Sequence, residues 1–422
     1  MRILQVVHWF LPRHTAGSEV YTYQLARELA QRHEVALYCR EEGRPERELA
    51  AEDDAYAGLP VHRVYYNAPP GPTQLARRAL ARFRNPQIAH DFAAYLDRYA
   101  GGGPDVVHFQ HLFKLSGELI SICRRRGIST VVTLHDYWFL CYNGQLLRPG
   151  LRPCSGPLGG ARCPGCAELP LRPWQRWALA PALWPLFIYQ TRYLRRCLRQ
   201  ADALISPSAY LAEVFARHGF RGRVRVSDNG SDVSWQVSEG RTPHTPLRFG
   251  YIGTIAPHKG LHVLLDAWAG LSGQAELWVY GSAGADAAYA QALQARELPG
   301  VRFQGPFAHA DIARVLAELD VLVVPSVWAE NSPVTIHEGR TARVPVLASE
   351  IGGMPDLVRE GRAGWLFRAG DAADLRRQMQ RLVDDPAQVA QVSQGILPVK
   401  SIAAQAAELE ALYAGLASRR SA

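Results

Sequence analysis

Short apolar runs recur along this chain, and several are followed by a stretch with apolar residues at helical spacing. Residues 2–7 form the first run, and the chain then passes through Pro12-Arg13-His14-Thr15-Ala16-Gly17-Ser18-Glu19 into a helical pattern from Val20 to Gln31. Val35–Cys39, Val61–Tyr66, Asp105–Phe109, Thr130–Leu134, Ala203–Ser206 and Val224–Val226 repeat the run, with helical stretches such as 87–99 and 116–126 between several of them. Such alternation predicts a parallel sheet covered on both faces. Ser234–Pro246, rich in Ser, Thr, Pro and Gly, reads as a linker, after which the pattern restarts. Leu247–Ile252, Ala275–Tyr280, Val301–Phe303, Val321–Val324, Val344–Ala348 and Gly364–Leu366 read as strands and Gly260–Leu271 as a helix.

Two doubly wound α/β domains in tandem are therefore expected, over 1–240 and 241–400, with 401–422 as a terminal helix packed back on the first. Ligands of such sheets lie outside the carboxyl ends of the strands, so two facing domains are expected to share a cleft. The length of 422 residues accommodates this, and the 48% apolar and 20% charged fractions exclude a disordered, collagenous or coiled-coil chain. Two segments break the alternation and read as insertions in the first domain, at about 141–199. Cys141–Pro170 is rich in Gly, Pro and Cys, and Leu171–Arg199 in Trp, Tyr and Arg.

The net charge is +8, carried by arginine, since only Lys114, Lys259 and Lys400 are lysine. Codon bias explains such a balance as readily as a surface that meets phosphates, nucleic acid or anionic lipid. No helix-turn-helix, zinc-finger or ribonucleoprotein motif accompanies the charge, so no nucleic-acid partner is expected. The N-terminal apolar run is short and lacks a cleavage site, and the longest uncharged stretch, Trp177–Thr191, is too short to span a bilayer and contains Pro181 and Pro185. A cytoplasmic protein is expected. Within Leu171–Arg199, Trp174, Trp177, Trp184, Phe187, Tyr189 and Tyr193 stand beside Arg172, Arg176, Arg192, Arg195, Arg196 and Arg199. Aromatic rings beside guanidinium groups suit the inner face of the cytoplasmic membrane. A helix packed on its own domain fits the same pattern.

The richest region for chemistry is the run from Val321 to Glu338. A buried strand leads to Pro325-Ser326, and Ser332 reads as an N-cap with Pro333 in the first helical position and Val334 behind it. A helix N-terminus there favours a phosphate, with Glu330 just before the helix and Glu338 along it. A second loop, Gly250-Tyr251-Ile252-Gly253-Thr254-Ile255-Ala256-Pro257-His258-Lys259-Gly260-Leu261, places Lys259 where it could neutralise a diphosphate. The pair of glutamates with seven residues between them, followed by Arg343-Val344-Pro345-Val346-Leu347-Ala348, resembles the signature of retaining glycosyltransferases of family 4, which have the GT-B fold. The resemblance covers nearly the whole chain apart from the two insertions.

That resemblance implies two Rossmann-like domains and transfer of a sugar from a nucleotide-diphosphate donor to a glycan or lipid-linked acceptor, in polysaccharide or glycolipid assembly. Glu330 is implied to hold donor-sugar hydroxyls and Glu338 the ribose hydroxyls, since an ionised carboxylate accepts two hydroxyl hydrogen bonds. Gly253, Gly281 and the loop containing Gly17 are implied donor contacts; a turn glycine is the plainer reading of Gly17. Relatives carry arginine where this chain has Thr254, and His258 or another arginine would then supply the second phosphate clamp. His135 is implied to touch the donor sugar, with Asp136, His108 and His111 on the acceptor side; either of the last two histidines also fits a satisfied polar residue at a strand end. Asp356, after Gly352-Gly353-Met354-Pro355, is given a supporting role. Retention without an enzyme nucleophile implies front-face substitution, and the absence of any Asp-x-Asp triplet leads to an expectation of metal-independent turnover with no catalytic cofactor. An epimerase on the same fold and a catalytically silent membrane-bound partner are the alternatives. Cys141, Cys154, Cys163 and Cys166 fit a structural zinc site, or unligated thiols in a loop. Cys39, Cys123 and Cys197 read as core residues.

Overall fold

The computed structural model describes residues 1–43, 49–67, 75–99, 101–166, 180–284, 286–360 and 363–421. It comprises two compact units, Met1–Gly230 with Ile402–Ala422, and Ser231–Ser401. The boundary thus falls ahead of the Ser/Thr/Pro/Gly-rich stretch, which belongs to the second unit: Val237 N–H donates to the Thr341 carbonyl and Arg241 N–H to Ser393 Oγ.

The first unit is built on β1 (Arg2–Val6), β2 (Glu34–Glu41), β3 (Ala51–Tyr56), β4 (Leu59–Tyr65), β5 (Val106–Phe109), β6 (Ser129–Thr133), a small hairpin of β7 (Leu147–Arg148) and β8 (Arg152–Pro153), then β9 (Ala203–Ser206) and β10 (Val224–Val226). The main sheet runs β10-β9-β6-β5-β1-β2-β4-β3, parallel except where β3 meets β4 antiparallel. Strand order reverses at β1 and β5, the position where doubly wound sheets open a crevice at the carboxyl ends of their strands. Helix α1 (Gly17–Leu29) packs Tyr21, Leu25, Ala26 and Leu29 into a core shared with Ile3, Leu37 and Val106. The C-terminal helix, Ile402–Ser421, adds Ala406, Leu409 and Tyr413 to that core. Strand β3 escapes the sequence reading because its sequence, Ala-Glu-Asp-Asp-Ala-Tyr, has no apolar alternation. It is held by side-chain pairing instead: Asp53 Oδ1 to His62 Nδ1 at 2.5 Å, Asp54 Oδ2 to Arg63 Nε at 2.9 Å and Glu52 Oε2 to Tyr65 Oη at 2.7 Å.

Residues 171–179, with Trp174, Trp177, Arg172 and Arg176, lie outside the described residues. The rest of the aromatic segment is helix α2 (Ala180–Leu198), which buries Phe187, Leu194 and Leu198 and leaves Trp184 and Tyr189 exposed. Among the described residues, no helix is long and apolar enough to cross a membrane.

The second unit carries β11 (Leu247–Ile252), β12 (Ala275–Tyr280), β13 (Val301–Gly305), β14 (Val321–Val324), β15 (Val346–Ser349) and β16 (Gly364–Phe367), all parallel in the order β13-β12-β11-β14-β15-β16. Its reversal point lies between β11 and β14, so the loops that follow these strands are neighbours. Val321–Val324 is buried on both faces, as a central parallel strand requires.

Candidate functional site

In the second unit the loop after β11 leads through a short turn to helix α3 (Leu261–Trp268). Gly253 N–H donates to the Tyr280 carbonyl at 3.0 Å, and Ile255 N–H to the Ser282 carbonyl at 2.9 Å, so this loop runs beside the one after β12. Glycine is required at two points where backbones meet: a Cβ on Gly281 would collide with the Gly253 carbonyl, and one on Gly260, at φ +75°, with the Pro325 carbonyl. The second contact presses the turn bearing Lys259 onto the loop after β14. Lys259 Nζ there donates to both carboxylate oxygens of Glu330, each at 3.0 Å.

Glu330 is held on every side. Its side chain is 8% exposed. Ser326 Oγ donates a short hydrogen bond to Oε1, and the Glu330 carbonyl accepts from Gly353 N–H at 2.7 Å. Gly352, at φ +69°, lies so close to the Glu330 backbone that a side chain would not fit. The Gly352-Gly353 turn therefore acts through Glu330. Trp328 lies 5.8 Å from the Lys259 ammonium and takes the His258 ring edge-on. Burial and the Lys259 charge hold the His258 pKa below its ordinary value. His258 is thus a neutral ring near pH 7 rather than a second cation, while Thr254 is exposed.

Helix α4 (Val334–Thr341) begins one residue later than the sequence suggests. Pro333, at φ −61° and ψ 122°, occupies the N-cap, and no side chain caps the helix. Ser332 is drawn away because its Oγ pairs with His337 Nε2 at 2.7 Å. The first-turn N–H groups, beginning with Val334, are left uncapped by any side chain, at the positive end of the helix dipole. Glu338, on the same helix, is 10% exposed at its side chain and is met by His309 Nε2 at 2.8 Å. His309, on the turn His309–Asp311 after β13, escapes the sequence reading, because nothing in a lone histidine reveals a carboxylate partner 29 positions away. The Glu338 hydrogen bond raises its pKa.

In the first unit, Gly17 is the first residue of α1 rather than a loop residue, with Ala16 as an extended N-cap. At the carboxyl ends of β1, β5 and β6, His8, Gln110, His111, His135 and Asp136 gather. His111 Nε2 meets Asp136 Oδ2 at 3.0 Å, while Phe113 N–H donates to Nδ1 at 3.2 Å, an arrangement that places the proton of the neutral ring on Nε2. Burial lowers the His111 pKa, but the Asp136 charge and hydrogen bond outweigh it and leave it raised. Asp136 Oδ1 accepts from Trp138 N–H at 2.8 Å, which fixes the carboxylate. His135 Nε2 pairs with Gln110 Oε1 at 3.0 Å, and Tyr21 meets its ring edge-on. Burial and the His111 charge push the His135 pKa down to about 3.

His108 meets this group only from beneath, with Gln110 Nε2 3.3 Å from its Nδ1. It is fully buried, with Nδ1 against Tyr413 Oη at 2.6 Å and Nε2 against Thr133 Oγ1 at 2.7 Å, and it ties the sheet to the C-terminal helix. Its side chain points inward because position 108 alternates with Phe109 on a strand buried on both faces. Two further residues escape the sequence reading: Glu19, 1% exposed and 3.5 Å from His8 Nε2, and Gln110, which links His135 to Gln5. Their only signal is position after β1 and β5 at the reversal point.

Residues 15–235 match the family model described as Glycosyltransferase Family 4, and residues 246–385 the one described as Glycosyl transferases group 1. A D-inositol 3-phosphate glycosyltransferase of Streptomyces avermitilis is 32% identical over 211 residues, covering 44% of this chain and 45% of that protein. An amylovoran biosynthesis glycosyltransferase, AmsK of Erwinia amylovora, is 31% identical over 158 residues, covering 35% and 39%. The chain thus spans less than half the length of these curated relatives. Among solved structures, a sucrose-phosphate synthase from Thermosynechococcus elongatus superposes with a TM-score of 0.68 at 21% identity, covering 98% and 99% of the two chains. HepE of Anabaena, in complex with UDP and glucose, does so with a TM-score of 0.61 at 17% identity over the whole of both. The fold is GT-B, two Rossmann-like domains, and by its sequence this chain belongs to glycosyltransferase family 4.

Proposed function

We propose that this chain transfers a sugar from a nucleotide-diphosphate donor to an acceptor hydroxyl, with retention at the anomeric carbon and without a catalytic metal ion. The observation that carries the reading is the Lys259 ammonium resting on the buried Glu330 carboxylate, beside a helix whose first turn has no side-chain cap. An ammonium and free backbone N–H groups are the preorganised positive charge that a departing diphosphate needs. Glu330 and Glu338 are both ionisable acceptors within this unit, suited to the hydroxyls of a sugar and a ribose respectively. By their names the curated relatives are a D-inositol 3-phosphate glycosyltransferase and a glycosyltransferase of amylovoran biosynthesis, and HepE was solved with UDP and glucose.

In this reading the acceptor oxygen attacks the anomeric carbon as its bond to the β-phosphate oxygen breaks, and that oxygen takes the acceptor proton. Lys259 stabilises the charge that develops on the diphosphate. On donor binding the ammonium turns from Glu330 toward phosphate, and Glu330 is released to sugar hydroxyls. His135, neutral at physiological pH, and Asp136, oriented by His111 and Trp138, are assigned to hydroxyl contacts; His108 is a structural residue. The acceptor is a glycan or a lipid-linked saccharide, and the exposed Trp184 and Tyr189 of α2 offer a surface suited to a membrane headgroup region.

The test is a transfer assay with uridine, guanosine, adenosine and thymidine diphosphate sugars and an acceptor panel, in the presence of a chelator. Acceptor-dependent release of one nucleoside diphosphate is expected, with Glu330→Gln and Lys259→Ala each slower by roughly 100- to 1,000-fold, the usual cost of removing a transition-state charge partner. Undiminished transfer by both variants would refute the site assignment, and donor epimerisation without acceptor would refute transfer.

A further inference from the structure

The Cys-rich insertion takes no part in the reaction proposed above, yet its backbone is organised around four thiols. Cys141 opens a tight turn: its N–H donates to the Tyr137 carbonyl at 2.7 Å, and its own carbonyl accepts from Gly144 N–H at 3.1 Å. Burial raises the Cys141 pKa, and the backbone N–H groups of residues 143–146, turned toward its sulfur, offset part of that rise. The β7–β8 hairpin then returns the chain, so that Cys154 N–H donates to the Leu146 carbonyl at 2.8 Å. Cys163 and Cys166 sit at the two ends of the turn Cys163-Pro164-Gly165-Cys166, closed by a 2.9 Å hydrogen bond from Cys166 N–H to the Cys163 carbonyl. The Asn143 side chain donates to the Cys166 carbonyl at 2.8 Å and joins this turn to the first. All four cysteines are half-exposed and outside any disulfide; the Cys154 and Cys166 thiols donate to the Gly156 and Arg162 carbonyls, and Cys163 lies within electrostatic reach of the other three.

We propose that Cys141, Cys154, Cys163 and Cys166 bind one zinc ion as a four-thiolate set, and that this ion holds the turn that backs Asp136. Four sulfur ligands from two tight turns and a hairpin suit the tetrahedral preference of zinc. Among the described residues, no three His, Cys, Asp or Glu side chains are already drawn tightly enough together to hold an ion. Closure on one therefore requires the thiols to turn inward, with Cys154 and Cys166 leaving their carbonyl partners, on a frame that the backbone hydrogen bonds above tie together.

Two observations say what the ion is for. Leu158 is 63% exposed, and Leu146, Leu151 and Leu158 all take left-handed backbone angles, at φ +50°, +58° and +47°. Three strained leucines so close in sequence persist only where something else fixes the chain. The second is where the segment leads. Tyr137 N–H donates to the Gly144 carbonyl at 3.2 Å, and a Cβ on Gly144, at φ +75°, would strike the Asp136 carboxylate. The Cys141 turn is thus the wall behind Asp136, the partner of His111. On its other side Gly160 abuts the Phe187 backbone and Tyr142 packs edge-on against the Phe187 ring at 5.2 Å, which seats α2.

The experiment is elemental analysis of the full chain, purified without added metal and desalted anaerobically into buffer free of reductant, with a count of reactive thiols under denaturing, non-reducing conditions. About one zinc per chain is expected, with all seven cysteines counted as thiols once the metal is chelated. Cys163→Ser/Cys166→Ser is expected to lose the zinc and to lower the pKa of His111, followed by NMR, as Asp136 loosens. Clearly less than one equivalent of zinc in the native chain overturns the proposal, as does iron in its place or a thiol count reduced by disulfides. Zinc retained by the double variant overturns the ligand assignment. The zinc content of the native chain decides for or against the ion even where the double variant fails to fold.

Discussion

At the level of single residues, the two carboxylates assigned to the proposed donor site are both occupied before any ligand arrives. Glu330 is held by Lys259 and Ser326, and Glu338 by His309. A ribose that takes Glu338 must therefore displace His309, and the cost of doing so depends on the charge of the imidazole. The hydrogen bond to Glu338 raises the His309 pKa, so the protonated ring holds the carboxylate more strongly than the neutral one does. Nucleoside diphosphate affinity is thus expected to rise with pH as His309 loses its proton. His309→Ala should bind more tightly than the native chain near pH 6 and by a smaller margin near pH 8, as measured by calorimetric titration. Weaker binding by His309→Ala at both pH values would place His309 among the ligand contacts instead. None of this pairing is legible in the sequence, where spacing from Glu330 marks Glu338 and nothing marks His309. Side-chain partners distant in the chain leave no local pattern.

At the level of elements, strands are legible in the sequence and helix ends are not. Strands Leu247–Ile252, Ala275–Tyr280 and Val321–Val324 keep their expected bounds to the residue; Val321–Val324, buried on both faces, is apolar throughout, while the other two admit Arg248 and Glu276 at half-buried positions. The start of α4 lies one residue past its expected place because Ser332 satisfies His337 instead of the helix, a choice made by a side chain five positions on. Strand β3 is invisible in the sequence since cross-strand charge pairs, not apolar burial, hold it. Glycine positions carry the sharpest test at this scale. Gly260 joins the Lys259 turn to the loop after β14, with both a left-handed φ of +75° and no room for a Cβ, whereas Gly370 has φ +77° and open space around it. Gly370→Ala should cost about 1 kcal/mol of backbone strain. Gly260→Ala should cost clearly more, roughly 2 kcal/mol or above, because it adds a backbone collision to the same strain. Equal losses in urea denaturation would show that the loop yields to the added methyl group and that the close approach does not fix Lys259.

At the level of the whole molecule, the first unit hides neutral histidines. Burial holds the pKa of His8 well below its ordinary value and those of His108 and His135 at about 3. In the unfolded chain each titrates near 6.5, so below that pH the unfolded state binds protons that the folded state refuses, and stability falls as pH falls. Three such groups give at most about 4 kcal/mol per pH unit. His111 and His309 have raised pKa values and act in the opposite sense: their contribution is full below 6.5 and is lost as pH rises through their folded values. The net expectation is a urea midpoint that drops progressively below pH 6.5. A midpoint unchanged between pH 7 and pH 5 would contradict the neutral assignment of the three buried rings. The doubly wound class and the family are legible at this scale, because alternation and the Glu330–Glu338 signature span long stretches of sequence. Which histidines face inward is not, since His108 and His111 flank the end of one strand and differ only in the direction of their side chains.

The proposed transfer with retention, driven by positive charge at Lys259 and the start of α4, would leave its mark on the anomeric configuration of the first-formed product. Proton NMR during transfer from the preferred nucleotide sugar, with chelator present, reads that configuration before the product can equilibrate. A product with the donor's own anomeric configuration is expected, formed by the native chain and nearly lost in Lys259→Ala. A product of opposite configuration, or one formed as fast without the Lys259 ammonium, would refute the assignment.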